Sequence, residues 1–130
     1  MMVASSLWRF SFVTLFSLLL SSAVHAQQGK HKIIFTFDYD FSRVPPCSDK
    51  VTQGCVQQFN FYDISAGTAK RFRLASKVAP PKAKGLAKGI SVTTDSFLFN
   101  SGTHRFAATA QMADGSESDL SSCLAIAQIP

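Results

Sequence analysis

From about residue 30 onward, apolar and polar residues alternate with a period of two along most of this chain. In the segment Lys32–Asp38, three apolar residues share one face of a strand at period two: Ile33, Phe35 and Phe37. The segment Val56–Asp63 repeats this alternation with its own phenylalanines. Because Ile, Phe and Thr suit a half-buried pleated surface, both segments are predicted strands.

The same pattern predicts further strands at Lys70–Leu74, Gly89–Phe99, His104–Met112 and Cys123–Ile129. The strand Gly89–Phe99 changes its alternation near Thr94 and Asp95, which indicates a bulge or two separate pieces. No segment after residue 26 has a helical period. A chain of about 6–7 short strands separated by turns is typical of an all-β, two-sheet antiparallel sandwich.

The first 26 residues have a different pattern, which is typical of an export signal. Met1–Arg9 carries one positive charge, Phe10–Leu20 is mostly apolar, and Val24–Ala26 ends in small residues around a histidine. The apolar run is about eleven residues long, whereas a membrane-spanning helix needs roughly twenty. We therefore expect a helical signal peptide at Met1–Ala26, cleaved after Ala26, and one domain at Gln27–Pro130. The mature protein is expected to be secreted, periplasmic or extracellular, with no membrane attachment.

Composition allows that single domain to have a core of its own. Nine of the twelve phenylalanines lie after residue 26, and each buried aromatic side chain contributes about 1.5–3 kcal/mol. The complete chain carries 13 basic and 8 acidic residues, a net charge of +5, which becomes +4 when Arg9 is lost with the leader.

The carboxyl-terminal part of the chain resembles a fibronectin type III domain. An aromatic and small apolar strand, a turn of Ala, Gly, Ser and acidic residues, and a last apolar strand follow one another as in that family. The matching residues are His104, Phe106, Ala108, Ala110 and the turn Ala113-Asp114-Gly115-Ser116-Glu117-Ser118. Phe59-Asn60-Phe61-Tyr62 is similar to the family's third strand, and the similarity covers about residues 33–129. Another immunoglobulin-like sandwich is the alternative.

Three features differ from the fibronectin type III pattern. His104 stands where the family has a tyrosine, and Phe37 stands where it has a buried tryptophan. Few residues of the mature chain precede Lys32–Asp38, so the family's first strand is expected to be short or absent. The edge of the smaller sheet is then less protected, and an exposed edge invites pairing with a partner.

The resemblance implies that three loops share one pole of the sandwich: Phe41–Gly54, Ala75–Lys88 and Ala113–Ser122. The middle loop is expected to be irregular, and from Lys70 to Lys88 the chain carries seven basic residues and no acidic one. Such loops carry binding in this class of fold. The candidate binding residues are Lys77, Lys82, Lys84 and Lys88.

The chemistry around these lysines suits some partners better than others. Export and the lack of an aromatic platform disfavour nucleic acid, which leaves a protein or an anionic glycan. The carboxylates in the two other loops are expected to balance the lysines. A Ca²⁺ site formed by them is a weaker alternative, because no spaced calcium-loop motif is present. We predict no metal and no cofactor.

The three cysteines fit an oxidising compartment. Cys47 and Cys55 lie eight positions apart, and a disulfide between them closes a short loop at a gain of about 2.6 kcal/mol. This pairing is the prediction, with Cys47–Cys123 and Cys55–Cys123 as alternatives. The cysteine that remains is expected to be free or to pair between chains.

Catalytic motifs are absent from the sequence. His31 and His104 are the histidines left after cleavage, and neither a G-x-S-x-G nor an H-E-x-x-H motif occurs. His104 is expected to be a hydrogen-bonded core residue rather than a base. We therefore predict a non-enzymatic exported module that binds a partner through polar loops at one pole. The alternative is a structural component that docks through an exposed sheet edge.

Overall fold

The structure, a computed structural model, describes residues 8–17 and 28–130, with side chains from residue 29 onward. Its strands are β1 (Trp8–Ser17), β2 (Gln28–Asp40), β3 (Val56–Asp63), β4 (Phe72–Val78), β5 (Leu86–Thr93), β6 (Phe97–Asn100), β7 (Gly102–Met112) and β8 (Leu124–Ile129). Two single 3-10 turns, at Thr68–Lys70 and Leu120–Ser122, are the helical segments of this described part. The all-β prediction is confirmed.

The first sheet is built around β2, its longest strand. β1 pairs with one side of β2, from Tyr39 to His31. β5 and β6 follow one another along the other side, with a break between Thr93 and Phe97. The interruption expected near Thr94 is therefore two separate strands, and all pairs in this sheet are antiparallel.

The second sheet has the order β4-β3-β7-β8, again with every neighbouring pair antiparallel. β3 covers the predicted strand Val56–Asp63 residue for residue. The predicted two-sheet antiparallel sandwich is thus confirmed at the level of its layers and strand directions.

The aromatic residues of the facing strands form the core between the two sheets. Phe35 of β2 stacks on Phe61 of β3 with ring centres 4.9 Å apart, and Phe37 meets Phe59 edge-on at the same distance. All four side chains are fully buried. Aromatic pairs in such geometries are worth about 0.5–1.5 kcal/mol beyond the area that they bury. The period-two alternation therefore identified the core face correctly.

The predicted irregular loop Ala75–Lys88 is wrong at both of its ends. β4 continues to Val78 and β5 begins at Leu86, so only residues 79–85 connect the strands. The cause is pairing with neighbours distant in sequence, since Val78 lies opposite Gln58 and Leu86 lies opposite Asp40. Strand partners override the weak strand preference of Ala, Ser and Lys.

The expected helical conformation of the leader is also wrong over the residues that the structure describes. Trp8–Ser17 is a strand in register with β2. Its residues include Trp, Phe, Val and Thr, which suit strands, and β2 offers backbone groups that need partners. The expected cleavage point after Ala26 lies outside the described residues.

Candidate functional site

Three connections meet at the pole where β2 ends and β3 begins. The segments are 41–55, 79–85 and 113–123, and backbone hydrogen bonds join them. The N–H of Phe41 donates to the carbonyl of Gly85 at 2.7 Å, and the N–H of Ala113 donates to the carbonyl of Cys55 at 3.1 Å. The expected grouping of three loops at one pole is therefore observed, and the loops brace one another.

The predicted disulfide Cys47–Cys55 is present, with Cα atoms 5.0 Å apart. It closes the first of the three loops, where the N–H of Cys47 also donates to the carbonyl of Val56 at 2.8 Å. Cys123 is free and buried in the core, and burial raises the pKa of its thiol. Its sulfur is accordingly not presented to a second chain.

The four candidate lysines are all exposed, but they do not lie on one loop. Lys82 and Lys84 lie in the connection 79–85, whereas Lys77 belongs to β4 and Lys88 to β5. Within residues 29–130, the one close contact between a basic and an acidic side chain joins His104 to Asp63, at the other pole. The charges of the four lysines therefore face solvent without an acidic partner in this part of the chain.

The carboxylates of the neighbouring loops form hydrogen bonds within their own turns. Asp40, Asp114 and Asp119 each accept a backbone N–H from the serine two residues further on, at 2.9 Å. These hydrogen bonds lower the pKa of all three carboxyl groups and form the side-chain turns typical of Asp. In the described residues none of these carboxylates lies within ion-pair distance of a lysine, so they do not pair with the lysines directly. Across the described residues, no three His, Cys, Asp or Glu side chains are grouped closely enough to hold a metal ion.

Sequence reasoning missed a polar network on the outer face of the second sheet. Alternation correctly placed Asn60 and Tyr62 of β3 away from the core, but both are buried, at 0% and 3% exposure. The segment after β7 folds back over them, and the hydroxyl of Tyr62 donates to Glu117 Oε1 at 2.8 Å. Thr109 Oγ1 and Asn60 Nδ2 donate to the same oxygen, at 2.5 and 3.2 Å.

Arginine side chains extend this network to the surface. The guanidinium groups of Arg71 and Arg73 lie over the ring of Tyr62, with central carbons 5.2 and 5.6 Å from the ring centre. Arg73 also donates to the Tyr62 hydroxyl at 3.2 Å. The buried donors Asn60, Tyr62 and Thr109 all have their acceptor inside the chain, so the network fixes the turn over the sheet.

A serine, a histidine and an aspartate lie together at the opposite pole, in an arrangement that differs from a hydrolytic triad. Asp63 Oδ2 and Ser65 Oγ both lie near Nδ1 of His104, at 2.9 and 3.3 Å. Nε2, which a serine nucleophile would need, faces the carbonyl of Asn100 at 2.7 Å. A triad requires the two partners on opposite ring nitrogens. His104 is thus a hydrogen-bonded core residue, as expected.

An open groove of about 330 Å³ lies beside this histidine. Phe72 and Phe97 meet edge-on across it at 5.4 Å, and Leu98 is 62% exposed. Lys70 lies at its rim. The groove joins β4 to β6 and was not expected from the sequence, because its residues come from strands of different sheets.

Comparison with known proteins identifies no relative of this chain. No family model, no curated protein and no solved structure matches the chain. No helix within the described residues is long and apolar enough to cross a membrane.

Proposed function

We propose that this chain is an exported, non-enzymatic β-sandwich module that binds an acidic partner, a protein or an anionic glycan, through the pole formed by residues 41–55, 79–85 and 113–123. The observation that carries the proposal is the set of exposed lysines without an acidic partner in the described residues, two of them on the connection 79–85 and two on the strands β4 and β5 that flank it. A rigid scaffold that presents mobile charged side chains on fixed loops is a common basis for recognition.

We also propose that the fold is of the fibronectin type III or immunoglobulin-like kind. Immunoglobulin-like sandwiches place their first, second and fifth strands in one sheet and their third, sixth and seventh in the other. The strand orders β1-β2-β5 and β4-β3-β7-β8 support the proposal when β5 and β6, which lie along the same side of β2, are counted as one strand, because β7 and β8 are then the sixth and seventh. His104 gives further support. It lies near the start of β7 and bonds the carbonyl four residues upstream, which is the task of the corner tyrosine in immunoglobulin-like domains.

The non-enzymatic part of the proposal rests on the geometry around His104. Its Nε2 is occupied by the Asn100 carbonyl, and the Ser65 hydroxyl is engaged by Asp63 at 2.5 Å. A nucleophile needs a base within hydrogen-bond reach whose other nitrogen is held by a third group. The pole with the lysines has no histidine in the described loops.

The test is retention of the protein on immobilised heparin, a sulfated polysaccharide, measured as the salt concentration that elutes it. Changing Lys77, Lys82, Lys84 and Lys88 to Ser is expected to weaken binding roughly tenfold or more, because the local positive field is lost. The matched control changes Lys30, Lys32, Lys70 and Arg105 to Ser, which removes the same charge elsewhere. Equal losses in the two variants would show attraction by net charge alone and would refute the proposed surface.

The pairing of β1 with β2 favours a second candidate function, docking through a sheet edge. Removal of the leader would leave residues His31–Tyr39 of β2 without a neighbour on one side. An uncovered strand edge presents unpaired N–H and C=O groups that a strand of another chain can use.

A further inference from the structure

Two arginine side chains lie over the ring of one buried tyrosine, on the outer face of the second sheet. Arg73 lies in β4 opposite Tyr62 of β3, and Arg71 is the extended residue immediately before β4. Side chains two residues apart on an extended chain point to the same face. Both guanidinium carbons lie within 5.6 Å of the centre of the Tyr62 ring, so the two positive charges are close neighbours.

The ring beneath the two arginines is fixed by its own contacts. Tyr62 is 3% exposed, and its hydroxyl donates to Glu117 Oε1 at 2.8 Å. Arg73 donates to the same hydroxyl at 3.2 Å. An aromatic face attracts a guanidinium group and restricts its position. The arginines therefore lose less conformational entropy when they contact a ligand than freely moving side chains would.

Most hydrogen-bond donors of this arginine pair are unused. A guanidinium group carries five N–H donors. Within residues 29–130, Arg73 uses one of them on the Tyr62 hydroxyl, and the guanidinium group of Arg71 makes no hydrogen bond. No carboxylate of these residues lies within ion-pair distance of either arginine. The pair therefore presents open donors and two positive charges to solvent.

An open cleft of about 510 Å³ lies beside Arg71, between the turn Thr68–Ala69 and the segment Glu117–Leu120. Two carboxyl groups line it, and both accept hydrogen bonds from inside the chain. Glu117 Oε1 accepts from three buried donors, and Asp119 Oδ1 accepts the N–H and the hydroxyl of Ser121. Their negative charges offset those of the arginines, so a ligand here is selected by the geometry of the open N–H donors rather than by a strong local field.

The geometry of the donors indicates which acceptor fits. A single guanidinium group already pairs with both oxygens of a carboxylate. A phosphate or sulfate ester has three terminal oxygens, so it can accept hydrogen bonds from two guanidinium groups at once. A pair of arginines held over one ring therefore suits an ester of this kind better than a carboxylate.

We propose that Arg71 and Arg73 form a binding site for a phosphate or sulfate ester, whose terminal oxygens bridge the two guanidinium groups while the rest of the ligand lies in the cleft. The site lies on the outer face of the second sheet, at the start of β4. The inference goes beyond the proposed function, because it uses other residues on another face and does not depend on the four lysines.

The test is titration of the full-length protein with phenyl phosphate and with phenyl sulfate at constant ionic strength, followed in the NMR signals of the arginine Nε–H groups. The signals of Arg71 and Arg73 are expected to shift and to reach saturation. Arg43 and Arg105 are exposed residues outside the site, so their signals serve as the internal reference and are expected to stay in place.

Variants separate the geometry of the donors from their charge. Changing both Arg71 and Arg73 to Lys keeps the two charges and removes the forked donors, and it is expected to weaken binding of both esters roughly tenfold or more. The single change Arg71→Lys leaves the bond between Arg73 and Tyr62 in place, so it tests the site without disturbing that contact and is expected to weaken binding as well. The matched control Arg43→Lys is expected to bind like the wild-type protein.

Parallel shifts of all arginine signals without saturation would show an adventitious ion only and would overturn the proposal. So would equal affinity of the double lysine variant, which would mean attraction by charge alone, or equal affinity for acetate, which would assign the site to carboxylates. Saturable binding of either ester supports the site, and the tighter ester identifies the group that the partner carries. The variant with Ser at Lys77, Lys82, Lys84 and Lys88 should bind both esters normally, which separates this result from the outcome of the heparin test.

Discussion

Glu117 is the residue through which the segment after β7 is fastened to the outer face of the second sheet. Its Oε1 accepts hydrogen bonds from Tyr62, Thr109 and Asn60. The donors are almost completely buried, at 3%, 1% and 0% exposure. Replacement of Glu117 by Ala removes their common acceptor, and replacement by Gln keeps the shape of the side chain and removes the charge.

The expected loss of stability follows from the free energy that is lost when buried hydrogen-bond donors have no acceptor. Hydrogen bonds to a charged group contribute about 1.5–3 kcal/mol, and a buried donor without an acceptor loses about 1–3 kcal/mol. Glu117 itself is exposed, so water replaces part of the lost bonding and the lower values apply. We expect Glu117→Ala to lower the free energy of unfolding by about 2 kcal/mol and Glu117→Gln by about 1 kcal/mol.

The pH dependence of this contribution has a defined sign. Burial raises the pKa of Glu117, but the hydrogen bonds from Thr109, Tyr62 and Asn60 outweigh it and lower the pKa below the ordinary value of 4.5. A carboxyl group whose pKa is lower in the folded protein stabilises it above the unfolded pKa, and the contribution is lost as the pH falls through the folded pKa. The difference between the wild-type protein and Glu117→Gln should therefore be full at pH 6 and shrink below about pH 4.5.

Urea unfolding at pH 7, 5, 4 and 3 measures both expectations, with Asp95→Asn as the control for loss of one exposed carboxylate. Asp95 is exposed on the connection between β5 and β6, so its replacement is expected to change stability by less than about 0.5 kcal/mol. The reasoning is refuted if Glu117→Ala is as stable as the control at pH 7, or if the deficit of Glu117→Gln stays constant down to pH 3.

The remaining predictions concern the cysteines and a buried histidine. Changing both Cys47 and Cys55 to Ser should lower the free energy of unfolding by about 2.6 kcal/mol, as measured in urea; no loss would mean that the loop is ordered by other contacts. Cys123 should react with a thiol reagent only after unfolding, because it is 3% exposed; rapid labelling of the native protein would contradict this burial. His31 is 3% exposed and its ring nitrogens have no hydrogen-bond partner. Burial, then the nearby His104, lowers its pKa below 6.5, so stability should fall as the pH drops below about 6.5, and His31→Leu should flatten that fall in thermal melts. An unchanged pH profile in that variant would refute the assignment.

The strands of this protein could be predicted from the sequence because their signal is local. The alternation in Val56–Asp63 defines both the strand and its core face without reference to any other residue. The disulfide Cys47–Cys55 was predictable for the same reason, since a short loop limits the distance between its ends. Burial of Tyr62 was not predictable, because alternation shows which face a residue occupies and not whether a distant loop, here the one with Glu117, covers that face.

The limits of β4 and β5 show the same dependence on distant partners. Lys77 and Lys88 lie in segments with few β-branched or aromatic residues, so the sequence predicts a loop. Lys77 is a strand residue because it pairs with Phe59 of β3, and Lys88 lies in β5 at the register shift between Ala87 and Ile90, which both pair with β2. The candidate lysines were therefore identified correctly as exposed, but two of them are held by strands. Their side chains start from fixed backbone positions, which lowers the entropy lost when they contact a partner.

The composition of Trp8–Ser17 explains why its sequence has the pattern of an export leader and why the segment forms a strand. An export leader requires a run of apolar residues. In almost any strand register, the same run also places apolar residues opposite the buried positions of a neighbouring strand. What distinguishes a fitted strand is the shift between Phe10 and Phe12. Continued without the shift, the register would place Thr14 opposite Ile33, and with the shift Leu15 takes that position. A polar residue beside a fully buried one costs free energy, so the shift gives the segment a specific fit to the edge of β2 from His31 to Tyr39.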